Sequence, residues 1–138
     1  MSEQVAARIL VADDDPVIVR LLEVNFRLEG YQVETASHGE ETIRKAREAD
    51  PALILLDVMM PGVDGWEVCR RLKDDPATAG IPIVFLSARA QDEDRKRGLD
   101  LGVADYVTKP FDPGDLVALV ARLIADHDDE TAEPTRQA

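Results

Sequence analysis

The chain contains a single cysteine, Cys69. That excludes an internal disulfide and any zinc site built from several thiolates. Bases are in deficit, 16 Lys and Arg against 28 Asp and Glu, for a formal charge of −12. Sequence-independent binding to nucleic acid needs a Lys/Arg surface, so this balance argues against it. No apolar run approaches the ~20 residues of a bilayer-spanning helix. Met1 to Ala7 is short and polar and lacks the apolar stretch of a signal peptide. The expected location is therefore cytoplasmic, with no membrane contact. Neither GxGxxG nor GxxxxGK[ST] is present, so the chain is not built to cradle a nucleotide phosphate. No internal repeat or low-complexity block interrupts it.

What remains is 138 residues, 45% hydrophobic and 32% charged. That composition is globular, and the length suits one domain with a core of useful size. Apolar runs and helical patterns alternate. Arg8 to Ala12 is strand-like. Asp13 to Gly30 carries Val17, Leu21, Val24 and Leu28 on one stripe, with Ile18 and Leu22 beside it. Tyr31 to Ala36 alternates as an edge strand does, and Glu40 to Ala49 is helix-forming. Ala52 to Leu56 and Ile83 to Leu86 are continuously apolar, as buried parallel strands are. Trp66 to Lys73 and the charged Gln91 to Leu101 are predicted helices, and Ala104 to Val107 a fifth strand. Leu116, Leu119, Val120, Leu123 and Ile124 mark a last helix. Asp126 to Ala138 shows no periodicity and is expected to be a disordered acidic tail or linker. The domain is accordingly bounded at 1–126, with 127–138 outside it. Five β-α units in strict alternation imply an α/β fold, a parallel sheet with helices on both faces. Ligands of such a sheet belong at the carboxyl ends of its strands.

Those ends carry a non-random set of side chains. The first strand runs into Asp13, Asp14 and Asp15, the third into Asp57, the fourth into Ser87, and Lys109 follows the fifth. Carboxylates gathered together need a proton or a cation between them. Oxygen donors without His or Cys select a hard ion such as Mg²⁺. A lone lysine and a lone hydroxyl facing that ion suit one small phosphoryl group, with Asp57 as its nucleophile. Each residue also has a plain structural reading. Asp15 before Pro16 fits a helix N-cap. Asp57 fits a turn cap, Ser87 a strand-end hydroxyl, and Lys109 a solvated base. Asp13 and Asp14 precede the capping position, which favours their facing the site. Cys69 reads as a small packed hydrophobe. Trp66 is expected near the active-site loop, and His38 and His127 fall in loop and tail.

The segments ILVADDDP at 9–16, LILLDVMMPGVDGWEV at 53–68, PIVFLSARA at 82–90 and DYVTKPF at 105–111 resemble the receiver domains of two-component response regulators. The resemblance covers about Ile9 to Ile124. It implies a flavodoxin-like receiver fold, a doubly wound five-stranded parallel sheet of order 2-1-3-4-5 flanked by five helices. It implies that Asp57 is the phosphoacceptor and that Asp13 and Asp14 hold Mg²⁺ (or Mn²⁺), with the backbone carbonyl of Met59 as a further ligand. Ser87 then bonds a phosphoryl oxygen, Lys109 pairs with the phosphoryl group, and Lys109-Pro110 is a cis peptide. Tyr106 takes the aromatic switch position.

By the same resemblance, a histidine kinase or phosphotransfer protein donates the phosphoryl group, and a downstream output protein or domain reads the result. The chain is then a switch with slow self-directed chemistry rather than a turnover enzyme. Phosphorylation is expected to draw Ser87 inward and let Tyr106 rotate in, altering the surface of helix 4, strand 5 and helix 5. Leu119 stands where many receivers carry an arginine for a symmetric dimer, so a monomer or weak dimer is expected. The alternative is a receiver-like adaptor that works by binding alone. An aspartyl-phosphate hydrolase would need a cap insertion that 138 residues do not accommodate.

Overall fold

The computed structural model describes residues 7–89 and 91–136, with side chains through residue 128. Strands and helices alternate throughout. They are β1 Arg8–Ala12, α1 Pro16–Leu28, β2 Gln32–Ala36, α2 Gly39–Ala49, β3 Leu53–Asp57, α3 Gly65–Asp74, β4 Ile83–Ser87, α4 Asp92–Asp100, β5 Asp105–Thr108 and α5 Pro113–Arg136. The strands form one parallel sheet of order β2-β1-β3-β4-β5, as expected.

The order follows from which strands need cover on both faces. LILLD of β3 and IVFLS of β4 are buried at every position, and β1 at all but its first. Successive side chains point to opposite faces, so each central strand feeds two cores. Leu10, Ala12, Ile54, Leu56 and Phe85 meet Ile43 and Ala46 of α2 and Val68 and Leu72 of α3. Ile9, Val11, Leu53, Leu55, Val84 and Leu86 meet Leu22 and Phe26 of α1 and Leu116 and Val120 of α5. Each fully buried Leu, Ile or Phe contributes roughly 1.5–3 kcal/mol. QVETA of β2 is exposed at Gln32 and half-buried at Glu34 and Thr35, which only an edge strand tolerates.

Side-chain caps set where four helices start, Asp112 Oδ1 accepting from the Asp115 amide ahead of α5. Asp15 Oδ1 accepts from the Val17 amide, with Pro16 at the first helical position, so the capping reading of Asp15 is the one realised. Asp64 caps α3 through the Glu67 amide, and His38 Nδ1 caps α2 through the Glu41 amide. Gly65 opens α3 hard against β3, where a Cβ would run into the backbone of Asp57 and Val58.

The carboxyl-terminal segment differs from expectation. α5 continues as one helix to Arg136, through residues 127–136 of the anticipated disordered tail. Neither glycine nor proline lies between Gly114 and Pro134, so no residue breaks the helix before its last turn, which carries Pro134. The apolar stripe ends at Ile124, which says where the helix stops having a face to bury and not where it stops being helical. Helix α4 is unusual in another way. Its buried residues are Asp94 and Gly98, and Leu99 is exposed.

Candidate functional site

The order in which strands are added to the sheet reverses between β1 and β3, and the crevice opens at their carboxyl ends. Register alone brings the acids together. Ala12 is level with Leu56, so the next residues, Asp13 and Asp57, leave the sheet side by side. Ser87 is level with Thr108, so Lys109 follows one step beyond the serine. Asp13 and Asp57 are buried, at 1% and 4% exposure. Asp14 is exposed at the rim, yet carboxylate oxygens of Asp13, Asp14 and Asp57 all lie within 4.8 Å of one another.

Lys109 crosses this cluster. Its Nζ donates to Asp13 Oδ2 at 2.8 Å and stands 3.6 Å from Asp57 Oδ2. The Met59 amide donates to Asp57 Oδ1 at 3.1 Å, and the Asp15 amide donates to Asp13 Oδ1 at 2.9 Å. Met59 turns its thioether to solvent. Ser87 is fully buried, and its Oγ accepts from the Arg89 amide at 3.0 Å. The Lys109-Pro110 peptide is cis.

The electrostatics are those of too many negative charges in a small volume. Burial, and then the charge of Asp13, push the Asp57 carboxyl up to about 6. The Met59 amide and Lys109 pull the other way and do not win. Burial opposes the charge of Lys109, but its bond to Asp13 and the charges of Asp13 and Asp57 outweigh that and hold the ammonium above its usual range. One ammonium against three carboxylates leaves the cluster short of positive charge. The donors are all oxygens, with no His or Cys among them, which is the set a hard divalent cation takes.

Tyr106 does not stand where the switching expectation started it. The ring is already turned inward, buried between Phe85 and Trp66, and its hydroxyl donates to the Arg89 carbonyl at 2.8 Å. Room for it comes from Gly98 of α4, where a Cβ would crowd the ring at 3.1 Å. Trp66 is buried beside the site, as expected, with the Arg97 guanidinium stacked over its ring at 4.3 Å. Cys69 is buried and its thiol is pushed up to about 11 by burial, which makes it the packed hydrophobe anticipated.

Sequence reasoning missed the arginines around the site. Arg89 pairs with buried Asp94 at 3.0 Å, and Arg95 bonds the Tyr106 carbonyl at 3.1 Å. In the sequence Arg95 belongs to a charged run and Arg89 stands alone before it, and no spacing rule separates a solvated arginine from a paired one. The only available signal was the poverty of apolar residues in α4, which leaves charge to seat it.

Comparison with known proteins fits this geometry. The response regulator receiver domain family matches residues 9–121. The response regulator PleD of Caulobacter vibrioides is 49% identical over 118 residues, covering 86% of this chain and 26% of PleD. The DNA-binding dual master transcriptional regulator RpaA of Synechocystis is 44% identical over 117 residues, covering 85% of this chain and 48% of RpaA. The chain thus spans a quarter to a half of the curated relatives it matches. Among solved structures, the receiver domain of the sensor histidine kinase PA1611 from Pseudomonas aeruginosa superimposes with a TM-score of 0.80 at 30% identity, over 88% of this chain and 99% of that one. That structure carries a magnesium ion in its active-site cleft. A CheY-like receiver from Methanospirillum hungatei gives a TM-score of 0.85 at 26% identity, over 91% of this chain and 99% of that one. Acids converging from two strand ends, a lysine from a third, and a family match across the whole sheet leave one assignment: the chain belongs to the response regulator receiver domains of two-component signal transduction.

Proposed function

We propose that Asp57 is the residue phosphorylated, by a phosphohistidine of a histidine kinase or phosphotransfer protein. One observation carries this reading. Asp57 is buried beside Asp13 with Lys109 spanning both, so its carboxylate is held in place and is short of positive charge.

An Asp57 oxygen attacks phosphorus in line, the P–N bond to the imidazole breaks, and the electron pair leaves with the ring nitrogen. The product is an acyl phosphate. Lys109 lies where its ammonium meets the transferred group, and the buried Ser87 hydroxyl donates to a phosphoryl oxygen. Asp13, Asp14, Asp57 and the Met59 carbonyl would hold Mg²⁺ (or Mn²⁺), which supplies charge neutralisation between the carboxylate and the incoming anion. A receiver of this kind is changed once per event and is not a classical enzyme.

Ser87 and Tyr106 form the switch, and the surface of α4, β5 and α5 is what an output protein or domain reads. The bond of the Tyr106 hydroxyl to Arg89 supports this, because the residue whose amide meets Ser87 also holds the ring. The receiver unit is residues 1–126, with 127–138 leading away from it, acting in the cytoplasm as a monomer or weak dimer. Among the described residues, no helix is long and apolar enough to cross a membrane.

Incubation with acetyl phosphate and Mg²⁺, followed by intact mass, tests the central claim. A gain of ~80 Da is expected in the wild type and none in Asp57→Asn. A gain that persists in the variant moves the acceptor elsewhere.

A further inference from the structure

Arg89 touches three parts of the molecule at once. Its amide donates to Ser87 Oγ at 3.0 Å, and its carbonyl accepts from the Tyr106 hydroxyl at 2.8 Å. Its guanidinium Nε donates to Asp94 Oδ1 on α4 at 3.0 Å. With Asp14, Met59 and Arg97 it lines the cleft above the carboxylates. Its side chain is 49% exposed, whereas that of Asp94 is 8% exposed. The arginine is therefore partly in solvent, with room to change partners, and the carboxylate is not.

α4 depends on such contacts. It buries no apolar side chain of its own. Besides Asp94–Arg89, it is seated by Arg95 on the carbonyl and ring of Tyr106, by Arg97 on the ring of Trp66, and by Gly98 against Tyr106 and Phe85. A buried carboxylate deprived of its cation is costly, so loss of Arg89 from Asp94 weakens the seat of the whole helix.

The charge in the cleft supplies a reason for Arg89 to leave. Lys109 is already bonded to Asp13. A phosphoryl group on Asp57 brings about −1.5 to −2 into a cluster with no other ammonium. A guanidinium matches phosphoryl oxygens with two parallel N–H donors. We propose that the Arg89 guanidinium is a second cation of the phosphoryl site, shared with α4. It exchanges Asp94 for the phosphoryl oxygens when Asp57 is modified, and so leaves Asp94 buried without its partner. The inference rests on Asp57 as the phosphoacceptor and assigns it a contact that runs to α4. Because the two anions compete for one arginine, the coupling is reciprocal: weakening the hold of Asp94 favours phosphorylation as much as phosphorylation frees α4.

The test follows phosphoryl gain by intact mass, with acetyl phosphate and Mg²⁺, in the wild type, Arg89→Ala, Asp94→Asn and the double variant. Removing a solvent-screened ion pair sets the scale at about threefold, slower in Arg89→Ala and faster in Asp94→Asn. The double variant is expected to match Arg89→Ala, because Asp94 acts only through the arginine. Trp66 is the sole tryptophan and lies under Arg97 of α4, so its emission reports the helix. Beryllofluoride with Mg²⁺ is expected to change that emission in the wild type and not in Arg89→Ala. Unchanged rates in both single variants overturn the proposal, as does an Asp94→Asn acceleration that survives in the double variant. If Asp94→Asn does not fold, the half-exposed Arg89→Ala decides the matter through rate and emission together. A wild type that gains no phosphoryl group defeats the acceptor assignment itself, and so is told apart from failure of the Arg89 exchange.

Discussion

The Lys109 ammonium is bound more closely to Asp13, at 2.8 Å, than to Asp57, at 3.6 Å. Both distances follow from the sheet register, which sets Asp13 beside Asp57 and brings Lys109 one residue past the level of Ser87. The lysine is anchored by Asp13 and leans over Asp57, the proposed acceptor. A phosphoryl group on Asp57 then meets one cation already in place.

Replacing Lys109 with Met keeps the stem and removes the charge. Phosphoryl gain from acetyl phosphate is expected to fall by about a hundredfold, the scale of one preorganised charge contact in a transition state. Binding of Mg²⁺, followed by Trp66 emission, is expected to persist, since the carboxylates that would hold it are untouched. A variant that phosphorylates at the wild-type rate would show that the lysine has only a structural role.

The raised Asp57 carboxyl gives a stability signature with a definite sign. Its value is about 6 in the folded chain and 3.8 in the ordinary carboxyl, with burial the larger cause and Asp13 the second. Between those two values the folded state binds more protons than the unfolded one, so stability falls as pH rises through that window. Its unfavourable contribution is complete above pH 6. Without Mg²⁺, the melting temperature is expected to rise by roughly a few degrees between pH 7.5 and pH 5, because about 1 kcal/mol moves a domain of this size by that much. Mg²⁺ removes most of the rise, and so does Asp57→Asn. Equal pH slopes for wild type and Asp57→Asn would count against a strained carboxylate at this position.

Gly65 ties α3 to the end of β3, its amide donating to the Val58 carbonyl at 2.8 Å. In Gly65→Ala the new Cβ meets backbone, which has no rotamer to yield, so the helix or the Asp57 strand end must shift. Overpacking of this kind costs about 1–3 kcal/mol. Chemical denaturation is expected to show that loss, together with slower phosphoryl gain because the Asp57 backbone is the atom group displaced. Full stability with full activity would mean that the loop at 58–64 absorbs the methyl group.

The sheet was legible because β1, β3 and β4 are buried on both faces, and such strands read as unbroken apolar runs. Site acids were legible for the same reason, since each sits where an apolar run stops. Strand ends were less so: Asp57 and Ser87 lie inside the ladder, as last residues of β3 and β4, because polar side chains do not prevent backbone pairing. The continuation of α5 was hidden because a helix without an apolar stripe leaves no periodic trace. Tyr106 and the arginines of α4 were hidden more deeply. Their positions depend on one another across 11 or 17 residues of separation, through Arg95 to the Tyr106 carbonyl and Tyr106 to the Arg89 carbonyl. No local rule reads such a circuit.

Helix α1 is apolar on two opposite sides. Leu22 and Phe26 are fully buried against the sheet, while Val17, Leu21, Val24 and Leu28 form a stripe on the outer face, with Val17 and Leu28 at 72% and 79% exposure. Burial in the domain explains the first side only. α1 begins at Pro16, next to the acids of the site, so a protein that presents a phosphohistidine in line with Asp57 must also cover the start of this helix. The stripe is therefore expected to be the surface on which a phosphodonor protein rests. Val17→Asp combined with Leu21→Asp should lower transfer from a phosphorylated donor protein by about tenfold or more, the cost of losing a central apolar anchor. Transfer from acetyl phosphate should not change, because a small donor needs no docking surface. Stability should fall by about 1 kcal/mol, since Val17 already faces water at 72% exposure and Leu21 does so only in part at 37%. Equal losses with both donors would place the damage in the site itself, and no loss with either would assign the stripe to some other contact.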